Sequence, residues 1–491
     1  MNLAETLLVR AADQPQRPAL VTARGTVSYG ELRDRAGRAA GRISGHIGPG
    51  DRVAIVAGNE AAFVAAYLAT LAVGGIAVPC NPTAPSHELA GQLRDVEASL
   101  VVASEQYADL ARRAVSHAGA AITIEVFTDN VDGAPDGVFA PVARADDDVA
   151  VLLFTAGTAG APKAAMLTHN SLRANLEQMQ QHPGLRVLSS DVVLAVLPWF
   201  HVFGLNVVLN LALSAGAAVS LVEHFHPAET LERVRNDGVT VIAAVPAVYA
   251  AWVALAGAPP SALQSVRLCA SGAATFPTET ARAVHDRFGV WVYDGYGLTE
   301  ASPVVTTSAV DAQPHVGSIG PPLPGIDVRI VDSDGNDVLE GDPGELWVRG
   351  ANVFAGYWND PVATARVLTP DGWLRTGDIG VAGDDGWLSL VERAKDVVIV
   401  SGFNVFPGEV EDAIADHPHV AEVAVVGEAH PRTGETVVAY VVATEGHTPD
   451  PVELLRHAGR RLARYKLPTR VEVVPELPRS FAGKLLRREL R

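Results

Sequence analysis

The feature that most constrains the fold is a regular alternation of two kinds of segment between about Asp51 and Tyr296. Short runs rich in β-branched residues alternate with segments of helical length, such as Glu60 to Val73. The short runs read RVAIVA, IAVP, VLAVLP, AAVSLV, VTVIAAV, VRLCA and VWVYDGY. This alternation favours parallel sheets that are covered on both faces by crossover helices. The segment from Asp129 to Asp148, rich in Asp, Gly and Pro, interrupts the alternation like a surface linker and indicates two α/β layers.

The pattern changes twice in the rest of the chain. After Ser318, short alternating strands separated by Gly and Asp turns predict antiparallel hairpins in a small β-barrel-like subdomain. From Asp396, strands and helical segments predict a small α+β domain. We therefore predict an α/β protein. Its large N-terminal domain, residues 1–394, holds two packed α/β layers and the barrel-like subdomain, and a small mobile C-terminal domain follows at residues 395–491.

Charge and hydropathy argue against two classes of protein. A formal net charge of −18 disfavours nucleic-acid binding, because neutralising phosphates requires a concentrated basic face. The most apolar stretch, Val202 to Val222, is broken at Ser214-Ala215-Gly216 into a helix and a strand, which disfavours a membrane span. The N-terminus has neither the basic start nor the long apolar core of a signal peptide. We expect a cytoplasmic protein.

The two cysteines carry no metal or disulfide pattern. Cys80 and Cys269 each end an apolar run, where a free cysteine commonly packs as a small hydrophobic residue. We therefore expect both thiols to be buried.

The segment from Phe154 to His169, FTAGTAGAPKAAMLTH, is the first with the residues for a specific chemistry. It follows the predicted strand Val149 to Phe154 and precedes a helix that starts near Asn170. Its glycines allow backbone N–H groups to turn toward an anion, and its hydroxyls and lysine add donors. The residues concerned are Thr155, Gly157, Thr158, Gly160 and Lys163. The segment lacks Walker spacing, yet it suits the β- and γ-phosphates of a nucleotide; a flexible Gly/Ala surface loop is the alternative.

Further motifs follow this segment in a fixed order. They are LPWFHVFG (Leu197 to Gly204), SGAAT (Ser271 to Thr275), YDGYGLTE (Tyr293 to Glu300), GELWVRG with GYW (Gly344 to Trp358), RTGD (Arg375 to Asp378), ERAKDVVIVSGFNVFPGEVE (Glu392 to Glu411) and PRSFAGK (Pro478 to Lys484). Together with the phosphate loop, this order resembles the acyl-adenylate-forming superfamily, and the resemblance runs from about Ser28 to Lys484. That superfamily contains acyl-CoA synthetases, firefly-type luciferases and the adenylation domains of peptide synthetases.

The resemblance implies an ATP site with Mg²⁺. It assigns Tyr296 to stacking on adenine, Asp294 to the adenine amino group, and Gly272, Ala273 and Ala274 to the opposite wall. Asp378 and Arg393 would bind the ribose. Thr299 would contact phosphate and Glu300 would hold Mg²⁺, since this cation takes carboxylate oxygens together with substrate phosphates. A turn-capping aspartate and a buried core tyrosine are the structural alternatives for Asp378 and Tyr296.

The resemblance also assigns roles within the catalytic cycle. Lys484 would stabilise charge as the substrate carboxylate attacks the α-phosphorus, and His201 joins the catalytic set. Lys395 matches the hinge, about which the small domain would swing after adenylation. The face carrying Ser401, Gly402 and Phe403 would then guide CoA.

The phosphate loop departs from the family pattern at three positions. Ala156, Ala159 and Ala164 stand where a Ser, a second Thr and a Gly are usual, so two hydroxyl donors are lost. Each is worth on the order of 1 kcal/mol if it contacts phosphate. ATP binding would be weakened, and a non-catalytic nucleotide- or acyl-binding paralogue is kept as an alternative.

The acid is predicted from the acyl pocket. An acidic residue that would hold a substrate amine is absent from Phe200-His201-Val202, and Val241 to Gly257 contains no cation for a dicarboxylate. An apolar wall suits an aliphatic or aryl tail, and an ordinary buried strand and helix is the alternative. The resemblance places Val245, Tyr249 and Ala301 in this pocket. We predict an acid:CoA ligase for a medium- or long-chain fatty acid; aryl acids, an acyl carrier protein as acceptor, and a homodimer remain open.

Overall fold

The computed structural model describes residues 1–9, 13–131, 137–155, 162–274, 276–315, 317–383, 385–393, 398–400, 403–405, 407–430, 434–462, 464–479 and 485–490. The chain divides into two compact units. The first comprises Met1–Val328 and Val348–Arg375, and the second comprises Arg329–Trp347 and Thr376–Arg491. The predicted domain boundary at residues 394 and 395 lies outside the described residues and stays a prediction.

A six-stranded sheet forms one layer of the first unit. Its strands are β3 (Arg52–Val56), β4 (Ile76–Cys80), β5 (Leu100–Ser104), β6 (Thr123–Phe127), β7 (Val149–Thr155) and β8 (Lys163–Thr168). They lie in the order β6-β5-β3-β4-β7-β8, and the pairs are parallel apart from β7 with β8.

An eight-stranded sheet forms the other layer. Its strands are β1 (Pro18–Thr22), β2 (Gly25–Ser28), β9 (Val192–Ala195), β10 (Ala218–Leu221), β11 (Val241–Ala244), β12 (Leu268–Ser271), β13 (Val292–Gly297) and β14 (Val304–Thr307). The order is β14-β13-β12-β11-β9-β10-β1-β2, with antiparallel pairs at the two edges and parallel pairs between them. The predicted parallel sheets in two layers are confirmed.

Helices connect the parallel strands of the first unit, as the alternation of the sequence predicts. The α-helices are Leu3–Leu7, Tyr29–Ile43, Ala61–Ala72, Ser86–Asp95, Ala108–Ala118, His169–Gln181, Leu211–Ala215, Pro227–Asn236, Pro246–Ala254, Thr278–Phe288 and Pro361–Val367. A π-helix spans Phe203–Asn210, and 3₁₀ helices span Glu105–Tyr107, Pro260–Leu263 and Thr299–Ala301.

Helix Ala61–Ala72 lies at the centre of the core. All 12 of its residues are buried, as expected for a helix that is apolar on every side. The Phe63 ring lies 5.1 Å from the Trp199 ring, and Tyr67 Oη accepts a hydrogen bond of 3.1 Å from Asn210 Nδ2. The helix, which connects β3 to β4, is thus packed against residues that follow β9 of the other layer.

The apolar stretch from Val202 to Val222 is divided as predicted. It forms the π-helix, helix Leu211–Ala215 and β10. Among the described residues, the helices are all too short or too polar to cross a membrane.

The segment from Asp129 to Asp148 contains no described helix or strand, and most of its described residues are exposed or half-buried, as expected for a surface linker. Val131 and Phe139 are buried. Arg35 Nη1 donates to Asp129 O at 2.9 Å, and Arg38 Nη2 donates to Asn130 O at 2.9 Å. The segment is therefore a surface connection that is anchored to helix Tyr29–Ile43.

Both thiols are buried, as predicted. Burial raises the pKa of Cys80 to about 12 and the pKa of Cys269 to about 12. Neither thiol is ionised at neutral pH.

The four-stranded sheet has the order β15-β16-β17-β18. Its strands are β15 (Ile326–Val331), β16 (Gly344–Gly350), β17 (Leu374–Ala382) and β18 (Leu388–Arg393). These are the strands predicted after Ser318, and β17 pairs antiparallel with β18.

The second unit contains a five-stranded sheet and short helices, in agreement with the predicted α+β class. The strands are β19 (Val398–Val400), β20 (Phe403–Val405), β21 (Val420–His430), β22 (Gly434–Ala443) and β23 (Arg470–Val473). The helices are Pro407–Ala415 and Pro451–Ala458, with 3₁₀ helices at Arg464–Lys466 and Arg487–Leu490. Val410, Ile414 and Leu454 are buried in its core.

Candidate active site

Several predicted site residues lie outside the described residues. They are Gly157, Thr158, Gly160, Lys395, Ser401, Gly402 and Lys484. The side chains of Arg393 and Phe403 are likewise outside the described part. Their roles stay predictions.

The two ends of the phosphate loop are held together by a β-hairpin. Thr155 at the end of β7 lies opposite Lys163 at the start of β8, and Thr155 Oγ1 donates to Lys163 O at 3.3 Å. The interpretation of Phe154 to His169 as one loop was wrong in its length, since residues 163–168 form a strand. These residues are mostly apolar, and Ala164 is buried there. A helix begins at His169, one residue before the predicted start near Asn170.

A segment from Phe354 to Asp360, which we call the bridging segment, pairs with β8. Met166 N donates to Gly356 O at 2.9 Å, and Trp358 N donates to Ala164 O at 2.8 Å. The segment therefore forms a strand-like edge beside β8, the strand that follows the phosphate loop. It belongs to the GYW motif, which was noted in the sequence without a role.

The ammonium group of Lys163 is directed toward this segment. Lys163 Nζ forms an ion pair with Asp360 and lies 6.0 Å from the centre of the Tyr357 ring. The ion pair lowers the pKa of Asp360. Asp360 also caps helix Pro361–Val367, because its side chain accepts from Ala363 N at 2.8 Å. Lys163 is therefore fixed in position by an acid that the sequence analysis did not single out.

Glu300 lies on the short 3₁₀ helix that begins at Thr299, between β13 and β14. Its Oε1 accepts a hydrogen bond of 2.7 Å from Tyr357 Oη, and its carbonyl accepts one of 2.9 Å from Phe354 N. Burial, followed by the charge of Glu300, raises the pKa of Tyr357 well above its usual range. Tyr357 is thus protonated and donates to Glu300. The bridging segment therefore contacts both Glu300, through Tyr357, and Lys163, through Asp360.

The adenine-site candidates come together where β12 and β13 end. Asp294 lies opposite Ser271 across the two strands, next to Gly272 and Ala273. Asp294 Oδ2 accepts from Phe276 N at 3.3 Å, and Oδ1 accepts from Gly295 N at 3.0 Å. Burial nevertheless raises the pKa of Asp294 to about 7. A carboxyl group poised near neutral pH at the end of a parallel strand is typical of a binding site.

The opposite wall of this site is formed at the end of β12. A Cβ on Gly272 would lie 3.4 Å from the Phe203 ring, an ordinary van der Waals contact, so the space there would also admit an alanine. Ala273 adopts a left-handed φ of 69°, which is uncommon for alanine, and Ala274 is exposed beside it. Tyr296 is buried on β13. The role of Tyr296 in stacking stays a prediction.

The ribose candidate Asp378 belongs to the second unit and is buried. It follows a turn at Gly377, whose φ of 70° favours glycine. Asp378 N donates to Thr376 Oγ1 at 3.1 Å. The register of β17 and β18 sets the backbone of Asp378 opposite that of Arg393. The two residues predicted for the ribose are therefore cross-strand neighbours.

The acyl-pocket candidates are mainly core residues. Tyr249 is fully buried, packs edge-on against Trp252 at 5.8 Å, and donates its hydroxyl hydrogen to Ala270 O at 2.8 Å. Val245 is half-buried and packs against the same core. Ala301 is buried, and its carbonyl accepts from Asn352 Nδ2 at 2.8 Å. Tyr249 thus has no free polar group to present to a substrate.

His201 has an exposed side chain, yet desolvation by surrounding protein lowers its pKa. Both observations fit a ring on the wall of a concave surface, where solvent reaches one side. The Phe200 ring packs against it at 4.7 Å. His201 is therefore a neutral imidazole at neutral pH.

Two residues were missed by the sequence analysis, Tyr357 and Asp360. The GYW motif and an aspartate directly before Pro361, a common helix start, are the signals that point to them. Clusters of three or more His, Cys, Asp or Glu suited to a metal are absent from the described residues.

Comparison with known proteins agrees with this arrangement. The family model for AMP-binding enzymes matches residues 7–358, and that for the AMP-binding enzyme C-terminal domain matches residues 409–484. The chain is 33% identical over 480 residues to a long-chain-fatty-acid–CoA ligase of Bacillus subtilis (strain 168), covering 90% of this chain and 85% of that protein. It is 35% identical over 485 residues to a feruloyl-CoA synthase of Amycolatopsis sp, covering 98% and 97%.

Solved structures agree as well. ATP-bound MatB from Rhodopseudomonas palustris superposes with a TM-score of 0.92 at 34% identity, covering 100% of this chain and 98% of that one. A benzoate CoA ligase from Burkholderia xenovorans LB400 gives a TM-score of 0.88 at 27% identity, with both chains covered fully at 100%. The chain therefore belongs to the AMP-binding enzyme family, and it is an acyl-CoA synthetase that uses a carboxylic acid, ATP and CoA.

Proposed function

We propose that this enzyme activates a medium- or long-chain fatty acid. The observation that carries the proposal is the chemistry of Val241 to Gly257. This stretch contains no charged side chain, and its one hydroxyl, that of Tyr249, is bound by the Ala270 carbonyl. Much of the stretch is packed in the core, and the positions of it that line the proposed pocket would offer an acid apolar side chains, which suit an aliphatic tail. The similarity to a long-chain-fatty-acid–CoA ligase supports the same class.

The reaction would proceed in two half-reactions. An oxygen of the acid attacks the α-phosphorus of ATP, and pyrophosphate leaves with the electrons of the broken bond. The CoA thiol, on losing its proton, then attacks the acyl carbon and releases AMP. Lys484 is proposed to stabilise the charge of the first step, and Ser401, Gly402 and Phe403 to guide CoA in the second.

Glu300 is proposed to hold Mg²⁺ in the first half-reaction. Tyr357 occupies one carboxylate oxygen of Glu300, which leaves the other for a cation. One carboxylate together with nucleotide phosphates is a common way to bind Mg²⁺. When bound, the cation would neutralise charge on the phosphates. Asp294 and Tyr296 are proposed for adenine, Asp378 and Arg393 for ribose.

An aryl acid is the second candidate. The observation that favours it is the similarity to a feruloyl-CoA synthase, which extends over 98% of this chain. Alanines at positions 243, 244 and 247 have small side chains, which supports room for either tail. An acyl carrier protein as acceptor and a homodimer remain proposals for separate tests.

A panel of acids tests the substrate. Pyrophosphate release from ATP and Mg²⁺ would be measured with acids from acetate to palmitate, and with benzoate, cinnamate and malonate, each with and without CoA. We expect the greatest release, and a CoA thioester, with aliphatic acids of medium or greater length. A preference for cinnamate would contradict a fatty-acid substrate and support the aryl acid. A preference for malonate would overturn the argument from the uncharged pocket wall.

A further inference from the structure

The bridging segment connects the two charged residues proposed to meet the nucleotide phosphates. It pairs with β8 just after Lys163, and Phe354 N donates to the carbonyl of Glu300 at 2.9 Å. The turn at its end is fixed by Thr364, whose Oγ1 accepts from Tyr357 N at 2.9 Å and donates to Asp360 O at 2.9 Å. Tyr357 and Asp360 are therefore held on a rigid piece of backbone.

Tyr357 determines which way the Glu300 carboxylate points. Its hydroxyl donates to Oε1 over 2.7 Å, and its ring packs edge-on against Phe354 at 5.0 Å, which fixes the phenol. Hydrogen bonds behind a metal-binding carboxylate commonly orient it and tune its affinity. The second oxygen of Glu300 is then presented in one direction.

Asp360 acts on the other charge. Its carboxylate holds Lys163 in an ion pair, and both side chains are partly exposed, at 39% and 32%. An ion pair at this exposure is weak enough to open when a stronger anion arrives. A triphosphate carries more negative charge than one carboxylate, so it can replace Asp360 as the partner of Lys163.

We propose that Tyr357 and Asp360 are positioning residues of the nucleotide site: Tyr357 aims Glu300 at the nucleotide-bound cation, and Asp360 holds Lys163 until a nucleotide phosphate takes it over. The proposal rests on the proposed role of Glu300. It makes the bridging segment a part of the nucleotide site, with one function before the nucleotide binds and one after.

The contribution of Tyr357 is tested with Tyr357→Phe and a nucleotide that cannot be cleaved at the α-phosphorus, α,β-methylene-ATP. Calorimetric binding would be measured across a range of Mg²⁺ concentrations. We expect the Mg²⁺ concentration for half-maximal binding to rise roughly tenfold, with near-normal binding at saturating Mg²⁺. The effect should vanish in the Glu300→Gln background, and Tyr440→Phe, in the second unit, serves as the matched control.

An unchanged Mg²⁺ dependence in Tyr357→Phe would overturn its role. Weaker binding at every Mg²⁺ concentration would do the same, since a general structural defect predicts that result. Thermal unfolding of each variant checks that the fold persists.

The contribution of Asp360 is tested with Asp360→Asn, which keeps an oxygen to cap the helix and removes the charge. Without the competing Asp360 carboxylate, Lys163 should bind the nucleotide phosphates more readily. The Kd for α,β-methylene-ATP should therefore fall roughly threefold. In the Lys163→Met background, the same change should have no effect. Asp327→Asn, which removes an exposed ion pair with Arg349, is the control. Equal effects with and without Lys163 would overturn the role of Asp360.

These measurements separate the inference from the proposed substrate. Binding of α,β-methylene-ATP requires no acid. If no acid of the panel is activated, the binding results therefore still test the roles of Tyr357 and Asp360. Conversely, normal turnover of a fatty acid together with an unchanged Mg²⁺ profile in Tyr357→Phe would contradict the proposed role of Tyr357 and support the proposed substrate.

Discussion

Asp294 combines a structural cost with a proposed role in binding adenine. Its carboxyl group accepts two backbone N–H groups, yet burial dominates and raises its pKa from 3.8 to about 7. The folded protein therefore retains a proton on Asp294 at a pH where the unfolded chain has lost it. Stability contributed by this group decreases as the pH rises from about 4 to about 7.

Asp294→Asn should therefore gain stability relative to the wild type as the pH rises. Asparagine does not ionise, so between pH 5 and pH 8 the difference in free energy of unfolding should shift in favour of the variant by about 2 to 3 kcal/mol. Denaturant unfolding at the two pH values measures it. Asp327→Asn, an exposed site, should show no such shift. An equal difference at both pH values would contradict the assignment.

Lys484 carries the most specific catalytic prediction from the sequence. In Lys484→Ala, adenylate formation should fall by a factor on the order of 100 to 1,000, because a fixed charge aimed at the transition state is lost. Thioester formation from supplied acyl-adenylate should persist. Pyrophosphate release and single-turnover thioester assays measure the two steps separately. Equal loss in both would contradict a role confined to the first half-reaction.

At the scale of elements, the turn between β13 and β14 determines where Glu300 lies. Gly297 is packed against the strand that follows, so that an added Cβ would lie 2.2 Å from Pro303 O. The backbone oxygen cannot move away without shifting β14. The glycine is therefore required by contact between two segments of backbone.

Gly297→Ala should destabilise the protein by about 1 to 3 kcal/mol and weaken Mg²⁺-dependent nucleotide binding, because the shift is transmitted to Thr299 and Glu300. Chemical unfolding and calorimetry test the two effects. Gly91→Ala is the control, since a Cβ there meets open space on helix Ser86–Asp95 and should leave stability equal or higher. Normal nucleotide binding in Gly297→Ala would show that the turn does not position Glu300.

The elements themselves were largely predictable from the sequence, and their pairing across long distances was less so. The runs RVAIVA, IAVP and VRLCA correspond to β3, β4 and β12, because buried parallel strands are continuously apolar. The bridging segment was not recognised as a partner of β8. Residues 166 and 356 are far apart in the sequence, and no local pattern records the contact between them. For this reason Tyr357 and Asp360 were missed, although the motif containing Tyr357 was noted.

At the scale of the whole molecule, the family pattern predicts that the small domain turns about Lys395 between the two half-reactions. Lys395→Pro should stiffen this hinge, since proline fixes φ. We expect adenylate formation to persist while CoA thioester formation falls by about tenfold or more. Separate assays of the two half-reactions measure this, and Lys395→Ala controls for loss of the charge. Normal CoA ligation in the proline variant would refute alternation between two domain positions.

The two buried thiols have a practical consequence for following such a motion. Cys80 and Cys269 are buried and have pKa values of about 12, so both thiols remain protonated at neutral pH. A maleimide dye should therefore not react with them. One cysteine introduced on the exposed surface of each unit could then carry a fluorophore pair without removal of the native residues. Energy transfer between the dyes would report the distance between the units through a single catalytic cycle, in an otherwise natural sequence.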